Sequence, residues 1–205
     1  MLNNLRDSLK PAMEKLGAGF AATGLSANFW TALGLAIAFA AGAAYASPYF
    51  IPGVPPFAAA VAGGVLLLAS GFLDVVDGAV ARVTKQASKK GAFLDSSFDK
   101  IAEVVIFAGV AVGGLASPVW ALVAIGLSLL VSYTRARAES LGVELKGIGI
   151  GERAERLLIL AIIGMIPFTP EMSFGGGQMN WAVALVAVVA GITLVQRIAA
   201  TAKKL

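Results

Sequence analysis

Two segments of this chain carry paired aspartates beside glycines: Asp74-Val75-Val76-Asp77-Gly78-Ala79-Val80-Ala81-Arg82 and, eight residues further on, Gly91-Ala92-Phe93-Leu94-Asp95-Ser96-Ser97-Phe98-Asp99. The spacing of three residues in the first pair and four in the second places each pair on one face of a helix. A short loop joins the two helices, so all four carboxylates can point to one place. Oxygen ligands without any His or Cys favour Mg²⁺, Mn²⁺ or Ca²⁺ over zinc. The pattern is typical of a two-metal enzyme.

The composition indicates an integral membrane protein. Of the 205 residues, 58% are hydrophobic, and the mean hydropathy is +0.84. Several apolar runs approach the roughly 20 residues needed to cross about 30 Å of hydrocarbon, and charged side chains beside such runs are by default functional. We therefore predict an all-α fold with six transmembrane helices, the shorter runs continuing into polar residues at the cytoplasmic end. The predicted spans are residues 26–46, 55–73, 102–115, 118–133, 157–168 and 181–195.

The N-terminal segment is amphipathic, with leucines at helical spacing along residues 2–16 and charged residues on the other face. It is expected to lie on the membrane surface, although an ordinary soluble capping helix is an alternative. Charges precede the first apolar run, so we expect no cleavable signal peptide. With no internal repeat in the sequence, we predict a single membrane domain over residues 1–205, made of an interfacial helix (1–20) and a six-helix bundle (21–205).

The basic residues predict the orientation. All 16 Lys and Arg residues fall on the N-terminal segment, on the loops after spans two and four, or at the C-terminal end, whereas the opposite connections carry only Glu171. Positive charge marks the cytoplasmic side, so both termini and the active site are expected to be cytoplasmic, in the plasma membrane. The net charge of +4 can attract anionic lipids or substrates. We expect no nucleic-acid partner, and the lack of Cys excludes thiolate chemistry.

Small residues surround the acids. Gly78 and Ala81 leave space for a flat group to approach the helix backbone, and Gly91 does the same on the facing helix. Arg82 adds a fixed cation suited to a phosphate oxygen. Simple ion pairing of the acids with neighbouring cations is the alternative, but four acids interleaved with glycines exceed what ion pairing requires. The neighbouring cations in question are Arg82, Lys85 and Lys100.

The full pattern, Asp-x₂-Asp-Gly-x₂-Ala-Arg-x₈-Gly-x₃-Asp-x₃-Asp, resembles the signature of the CDP-alcohol phosphotransferase family at every position. The resemblance extends over nearly the whole chain. It implies transfer of a substituted phosphate from a CDP-linked lipid to an alcohol hydroxyl, with release of CMP, by a homodimer. It also implies that two Mg²⁺ or Mn²⁺ ions are held by Asp74, Asp77, Asp95 and Asp99, with Asp99 as general base.

The same resemblance implies a nucleotide site. One departure lies before the first span, where this chain has Ala27-Asn28 in place of the family's frequent Pro-Asn. From the residues alone, the acid that takes the proton of the acceptor hydroxyl is not defined, and the assignment to Asp99 comes from the family. The nucleotide-binding residues implied are Asp74, Gly78, Ala81, Arg82, Gly91, Asn28 and Thr31.

A second group of residues concerns the acceptor. Arg135 and Arg156 end one span and start the next, and Arg197 ends the last, so the three guanidinium groups can converge on one cavity and bind a phosphate. The alternative is that they are anchors at the positive side of the membrane. The segments Tyr133 to Glu139 and Gly151 to Arg156 resemble the branch of the family that uses inositol phosphate, the phosphatidylinositol-phosphate and archaetidylinositol-phosphate synthases, in which these arginines hold the acceptor's phosphate.

Two other functions stay open. The same reaction with glycerol 3-phosphate would use the same arginines. A divalent-cation transporter would also have intramembrane acids, but it predicts acids spread through the membrane depth, whereas here they sit at one level. The sequence does not distinguish a diacylglycerol from an archaeol tail, because a lipid groove needs only apolar side chains.

Overall fold

The computed structural model describes residues 2–145, 147–167, 172 and 174–205, with the side chains of residues 2–10 outside the described part. Within these ranges the fold is all-α, with one 3₁₀ turn at Phe174–Gly176. This confirms the predicted class, an all-helical membrane protein. The helices are α1 (Leu2–Ala21), α2 (Ala27–Phe50), α3 (Pro56–Val83), α4 (Lys89–Val112), α5 (Pro118–Ser140), α6 (Arg153–Gly164) and α7 (Asn180–Ala202).

Local signals set the helix starts. The Ser26 hydroxyl accepts a hydrogen bond from the Phe29 N–H at the start of α2, and the Ser88 hydroxyl caps α4 through the Gly91 N–H at 3.0 Å. Prolines open α3 and α5, where their missing N–H groups cost nothing. These helices therefore start at polar or proline-containing segments, as the sequence predicts.

The first predicted span ended too early. We placed its end at Ala46, before Ser47-Pro48, but α2 continues through Pro48 to Phe50. Proline in a helix leaves the carbonyl four residues earlier without its donor. Here that carbonyl, of Ala44, accepts a hydrogen bond of 2.7 Å from the Ser47 hydroxyl, so the helix tolerates the proline.

Among the described residues, four helices, α2, α3, α5 and α7, are long and apolar enough to cross a membrane. The third and fifth predicted spans correspond to α4 and α6, which are not among these four helices, each for its own reason. The first half of α4 is rich in charged residues, and α6 has 12 residues, a length of about 18 Å. Phe168, the predicted end of the fifth span, lies outside the described residues, as does Glu171. The four candidate spans agree with a multi-pass membrane protein.

The helices pack in two sets, which are joined through α6 and by a direct contact between α4 and α5. α2 packs against α3 and α4, α5 packs against α7, and α6 contacts both α3 and α7. Between α2 and α4 the backbones touch at Gly42 and Gly109, where an added Cβ would collide with the neighbouring carbonyl. Small residues allow this close approach of membrane helices. The crossing fixes α4, and with it two of the aspartates, relative to α2 and α3.

The N-terminal helix supports the acid-bearing part of α3. Gly17 of α1 lies against the backbone of Ala79, and Phe20 packs edge-on against Trp30 of α2, with ring centroids 4.9 Å apart. Phe20 and Trp30 belong to a cluster around the buried Val76 and Val80. α1 therefore covers a face of α3 different from the one that carries the acids.

Candidate active site

Three of the four aspartates form a compact cluster between α3 and α4. Carboxylate oxygens of Asp74, Asp95 and Asp99 lie within 4.8 Å of one another, and all three residues are partly buried. Such a group of oxygens repels itself unless a cation lies among them. As predicted, α3 and α4 bring acids of both pairs together, and three of the four aspartates form the cluster.

Asp77 is not part of that cluster. All four aspartates nevertheless line one small cavity. Asp77 is buried, and its Oδ2 has no hydrogen-bond partner within the described ranges. A buried carboxylate oxygen without a partner is costly, and a bound cation would remove that cost. Thr31 and Ser70 line the cavity beside it.

An arginine that the sequence analysis did not assign to this site occupies the carboxylate cluster. Arg153, at the first position of α6, places its Nη1 atom 2.7 Å from Asp99 Oδ1 and 3.4 Å from Asp74 Oδ1. Across the described residues, the four acids form no ion pair with Arg82, Lys85 or Lys100. Ion pairing does occur at the site, but with a residue far away in the sequence.

The residues expected to bind the nucleotide differ in their exposure. Arg82 is exposed, and its Nη1 would contact a Cβ placed on Gly78 at 3.4 Å, so the guanidinium lies over the glycine surface. Asn28 is exposed, whereas Thr31 faces the small cavity. The remaining two, Ala81 and Gly91, are half-buried near the ends of α3 and α4.

A larger cavity, of about 850 Å³, adjoins the carboxylates and extends between α3, α4, α5, α6 and α7. Asp74, Asp99 and Arg153 line both cavities. The cavity is also lined by the three arginines proposed for the acceptor, from three different helices, and by the leucines of α3 and α6. Those arginines are Arg135, Arg156 and Arg197.

Arg156 is fixed by a buried acid. Its Nη2 donates to Glu103 Oε1 at 3.0 Å and its Nη1 donates to the Gly151 carbonyl at 3.1 Å. The two side chains are only 1% and 0% exposed. Glu103 was not predicted as part of the site, although an acid within the third apolar run was a signal that could have identified it. It ties α4 to α6.

Arg197 and its neighbours on α7 hold the loop before α6. Arg197 donates from Nε to the Ile148 carbonyl and from Nη1 to the Val131 carbonyl, both at 3.0 Å. One turn earlier, the Thr193 hydroxyl accepts from the Gly151 N–H at 3.0 Å. The loop is therefore bound to α7 at Ile148 and Gly151, and it leads directly into α6, where Arg153 lines the cavity.

Arg135 differs from the other two arginines. It is exposed, and its Nε pairs with Glu139 Oε1 at 2.9 Å, one helical turn away on the same helix. Exposed pairs of this type are worth less than about 1 kcal/mol. Arg135 can therefore turn to a ligand at little cost.

The donor set fits a divalent cation. Carboxylate oxygens are the ligands that Mg²⁺ and Mn²⁺ prefer, three of them already lie close together, and Asp77 Oδ2 adds a buried atom without a partner among the described residues. The four aspartates are therefore suitable to hold metal ions at the small cavity that they line.

Comparisons with known proteins agree with this chemistry. Residues 24–200 match the family model for CDP-alcohol phosphatidyltransferases. The archaetidylinositol phosphate synthase of Methanothermobacter thermautotrophicus is 36% identical over 197 residues, covering 96% of this chain and 92% of that one. The synthase of the same name from Pyrococcus horikoshii is 34% identical over 206 residues, covering 100% and 98%.

Solved structures show the same fold. The phosphatidylinositol phosphate synthase of Mycobacterium tuberculosis with CDP-DAG bound matches with a TM-score of 0.74 and 25% identity, covering 92% of both chains. That protein in complex with manganese and citrate matches with a TM-score of 0.73, covering 92% of this chain and 88% of the other. A transporter is therefore set aside, and this chain belongs to the CDP-alcohol phosphatidyltransferase family, as a membrane-bound transferase of phospholipid synthesis.

Proposed function

We propose that the enzyme transfers the lipid-bearing phosphate of CDP-diacylglycerol or CDP-archaeol to a hydroxyl of inositol 1-phosphate. The hydroxyl oxygen forms a bond to the phosphorus that carries the lipid. The bond from that phosphorus to the bridging oxygen of the diphosphate breaks, and CMP leaves. The hydroxyl proton passes to Asp99.

One observation carries the choice of acceptor. The arginine-lined cavity of about 850 Å³ reaches Asp74 and Asp99, so an acceptor phosphate held by the arginines would have its hydroxyl end near the carboxylates. The names of relatives that cover nearly the whole chain, archaetidylinositol phosphate synthases, support the same acceptor.

The chain's acids have separate tasks in this proposal. Asp74, Asp77, Asp95 and Asp99 hold two divalent ions, Mg²⁺ or Mn²⁺, which when bound neutralise the diphosphate. Asp99 also acts as the general base, the role that the family resemblance implies, and it lines the cavity proposed for the acceptor.

We also propose that the nucleotide lies over the small-residue surface of α3 and α4. Gly78, Ala81 and Gly91 allow the flat base to approach the backbone, and the exposed Arg82 binds a phosphate oxygen. Asp74 and Thr31, which line the small cavity, and the exposed Asn28 complete that site.

The three arginines bind the acceptor's phosphate, but unequally. Arg135 has only an exposed partner, so it supplies the most available charge. Arg156 is neutralised by Glu103, and two of the donors of Arg197 already bind backbone carbonyls. These two therefore form a fixed, pre-arranged wall, which lowers the entropic cost of binding.

For the membrane arrangement, we propose six spans, α2 to α7, with both termini and the active site on the cytoplasmic side of the plasma membrane. The distribution of Lys and Arg supports this orientation. α1 lies at the interface, and residues 1–205 form one domain. The family resemblance supports a homodimer.

The decisive experiment compares acceptors with the purified enzyme. CMP release and lipid product are measured with each CDP-lipid and with inositol 1-phosphate, glycerol 3-phosphate, serine or free inositol. We expect turnover with inositol 1-phosphate and little with free inositol, which offers no phosphate to the arginines. Preferential use of glycerol 3-phosphate would support the alternative acceptor, and efficient use of free inositol would contradict the role of the arginines.

A further inference from the structure

Arg153 is held between the two cavities by contacts with the carboxylates. Its Nη1 is close to one oxygen each of Asp99 and Asp74, the acids expected to bind metal. Among the described residues, it is the one basic side chain that lines the small cavity, and it also lines the large one. Its Nε is buried without a hydrogen-bond partner in the described ranges.

This placement makes the arginine and a divalent ion competitors. Arg153 Nη1 occupies the position beside Asp99 Oδ1 and Asp74 Oδ1 that a metal ion bound to these oxygens would take, so the guanidinium and the ion compete for one place. When Arg153 leaves the carboxylates, the side of the larger cavity remains within reach of the same side chain, because it already lines that cavity. There the planar guanidinium is well suited to a phosphate.

We propose that Arg153 is a displaceable cation: it occupies the carboxylate cluster, a divalent ion displaces it, and its guanidinium then binds the phosphate of the acceptor. The inference rests on the proposed function. Because one side chain serves both sites, metal and acceptor phosphate favour each other's binding, and the coupling is reciprocal.

The first test measures Mn²⁺ binding to the purified full-length protein without substrates, by electron paramagnetic resonance of free Mn²⁺. Removing the competitor in Arg153→Gln should tighten Mn²⁺ binding about tenfold, the value of one charge-assisted contact at a partly buried site. Lys100→Gln is the matched control, because it removes the same charge beside Asp99 from a residue whose ion pair is with Glu103. It should change the affinity less than about threefold.

The outcomes separate the proposals. Unchanged or weaker Mn²⁺ binding by Arg153→Gln overturns the inference, and so does an equal gain in both variants, which would indicate a general charge effect. No Mn²⁺ binding by the wild type overturns the metal part of the proposed function, and the inference with it. If Arg153→Gln does not fold, Arg153→Lys is measured instead, and a smaller gain in affinity is expected.

Two further readouts are independent of turnover. In EDTA, Arg153→Gln should melt at a lower temperature than the wild type, because the carboxylates lose their cation, and saturating Mn²⁺ should remove the difference. Calorimetry with inositol 1-phosphate and with glycerol 3-phosphate should show that Mn²⁺ raises phosphate affinity in the wild type and much less in Arg153→Gln. Equal melting differences with and without Mn²⁺, or equal coupling in both proteins, would contradict the proposal.

Discussion

The two charged walls of the site are built in opposite ways. The acidic wall, on α3 and α4, has carboxylates that crowd one another, and one of them has a buried oxygen without a partner in the described chain. The basic wall, on α5 to α7, includes arginines that are bound to a buried acid or to backbone carbonyls. The acids are prepared for a ligand, whereas Arg156 and Arg197 also hold the protein together.

This difference teaches that substitutions in the two walls should have different consequences. Removing a negative charge from a crowded cluster relieves repulsion, so it should spare the fold and abolish the chemistry. Removing Arg156 or Arg197 from the basic wall leaves a buried acid or backbone carbonyls without their donor, so it should affect folding and binding together. Substitutions in each wall, with separate measurements of activity and stability, test that contrast.

Activity should depend completely on the metal-binding acids. Asp74→Asn, Asp77→Asn and Asp95→Asn should each abolish CMP release, because the ions lose a ligand, and EDTA should do the same to the wild type. Thermal melting in EDTA should show that the variants are as stable as the parent protein or more stable. Full turnover by any of the three, or undiminished turnover in excess EDTA, would rule out the metal-dependent mechanism.

Asp99 should affect turnover more than binding. Asp99→Asn should lower kcat by about 10²-fold or more, on the usual scale of general base catalysis, while affinity for the CDP-lipid changes less. Turnover and CDP-lipid binding are measured on the same preparation. Complete loss of CDP-lipid binding would instead make Asp99 mainly a metal ligand, with water or another group taking the proton.

Arg135→Ala and Arg156→Ala should both weaken binding of the acceptor. Each should raise the acceptor's KM by about tenfold to several hundredfold, at about 1.5–3 kcal/mol per charged hydrogen bond, with little change in the KM of the CDP-lipid. Arg197→Ala should behave in the same direction. A defect confined to CDP-lipid binding would assign these arginines to the donor.

Stability should separate the same two variants. Arg156→Ala breaks a buried pair, at a cost of about 3–5 kcal/mol, and leaves Glu103 with Lys100 Nζ, 4.0 Å away, as its remaining ion-pair partner among the described residues. Arg135→Ala breaks an exposed pair worth less than about 1 kcal/mol. Thermal melting in detergent measures the difference. Restoration of stability by Glu103→Gln in the Arg156→Ala background would confirm that the buried acid left without Arg156 is the cause, and equal stability of the single variants would contradict the buried pair.

The smallest effect concerns the loop that α7 holds. Thr193→Val removes the acceptor of the buried Gly151 N–H, at about 1–3 kcal/mol, and should raise the acceptor's KM a few-fold by loosening the start of α6. Thr201→Val is the matched control, because its hydroxyl bonds only within α7, to the Arg197 carbonyl. Identical kinetics for the two variants would show that the loop does not position the site.

The sequence predicted the features that depend on local patterns. Apolar runs and their proline or serine boundaries indicated the helices. The spacing of four residues placed Asp95 and Asp99 on one face of α4. The sequence did not predict that Asp77 is more buried than Asp74, because the side chains of residues three apart on a helix differ by about 60° in direction. Which of the two faces an adjoining helix depends on packing.

The pairings of Arg153 and Glu103 were also beyond sequence reasoning. Arg153 meets Asp74 across 79 positions and Arg156 meets Glu103 across 53, and no periodicity connects such distant residues. Within the segment Glu152-Arg153-Ala154-Glu155-Arg156, either arginine could have faced the acids. The direction is set by the loop that α7 holds, which is a tertiary contact.

The attachment of that loop to α7 has a consequence for biosynthesis. Chains are made and inserted from the N-terminus, so the acidic wall on α3 and α4 is complete while the last helix is still to come. Thr193 and Arg197, which fix the start of α6, lie on α7, which follows α6 in the sequence. The acceptor cavity is therefore completed only once α7 has been made, and a nascent chain that already carries the acidic wall would have no ordered place for the acceptor.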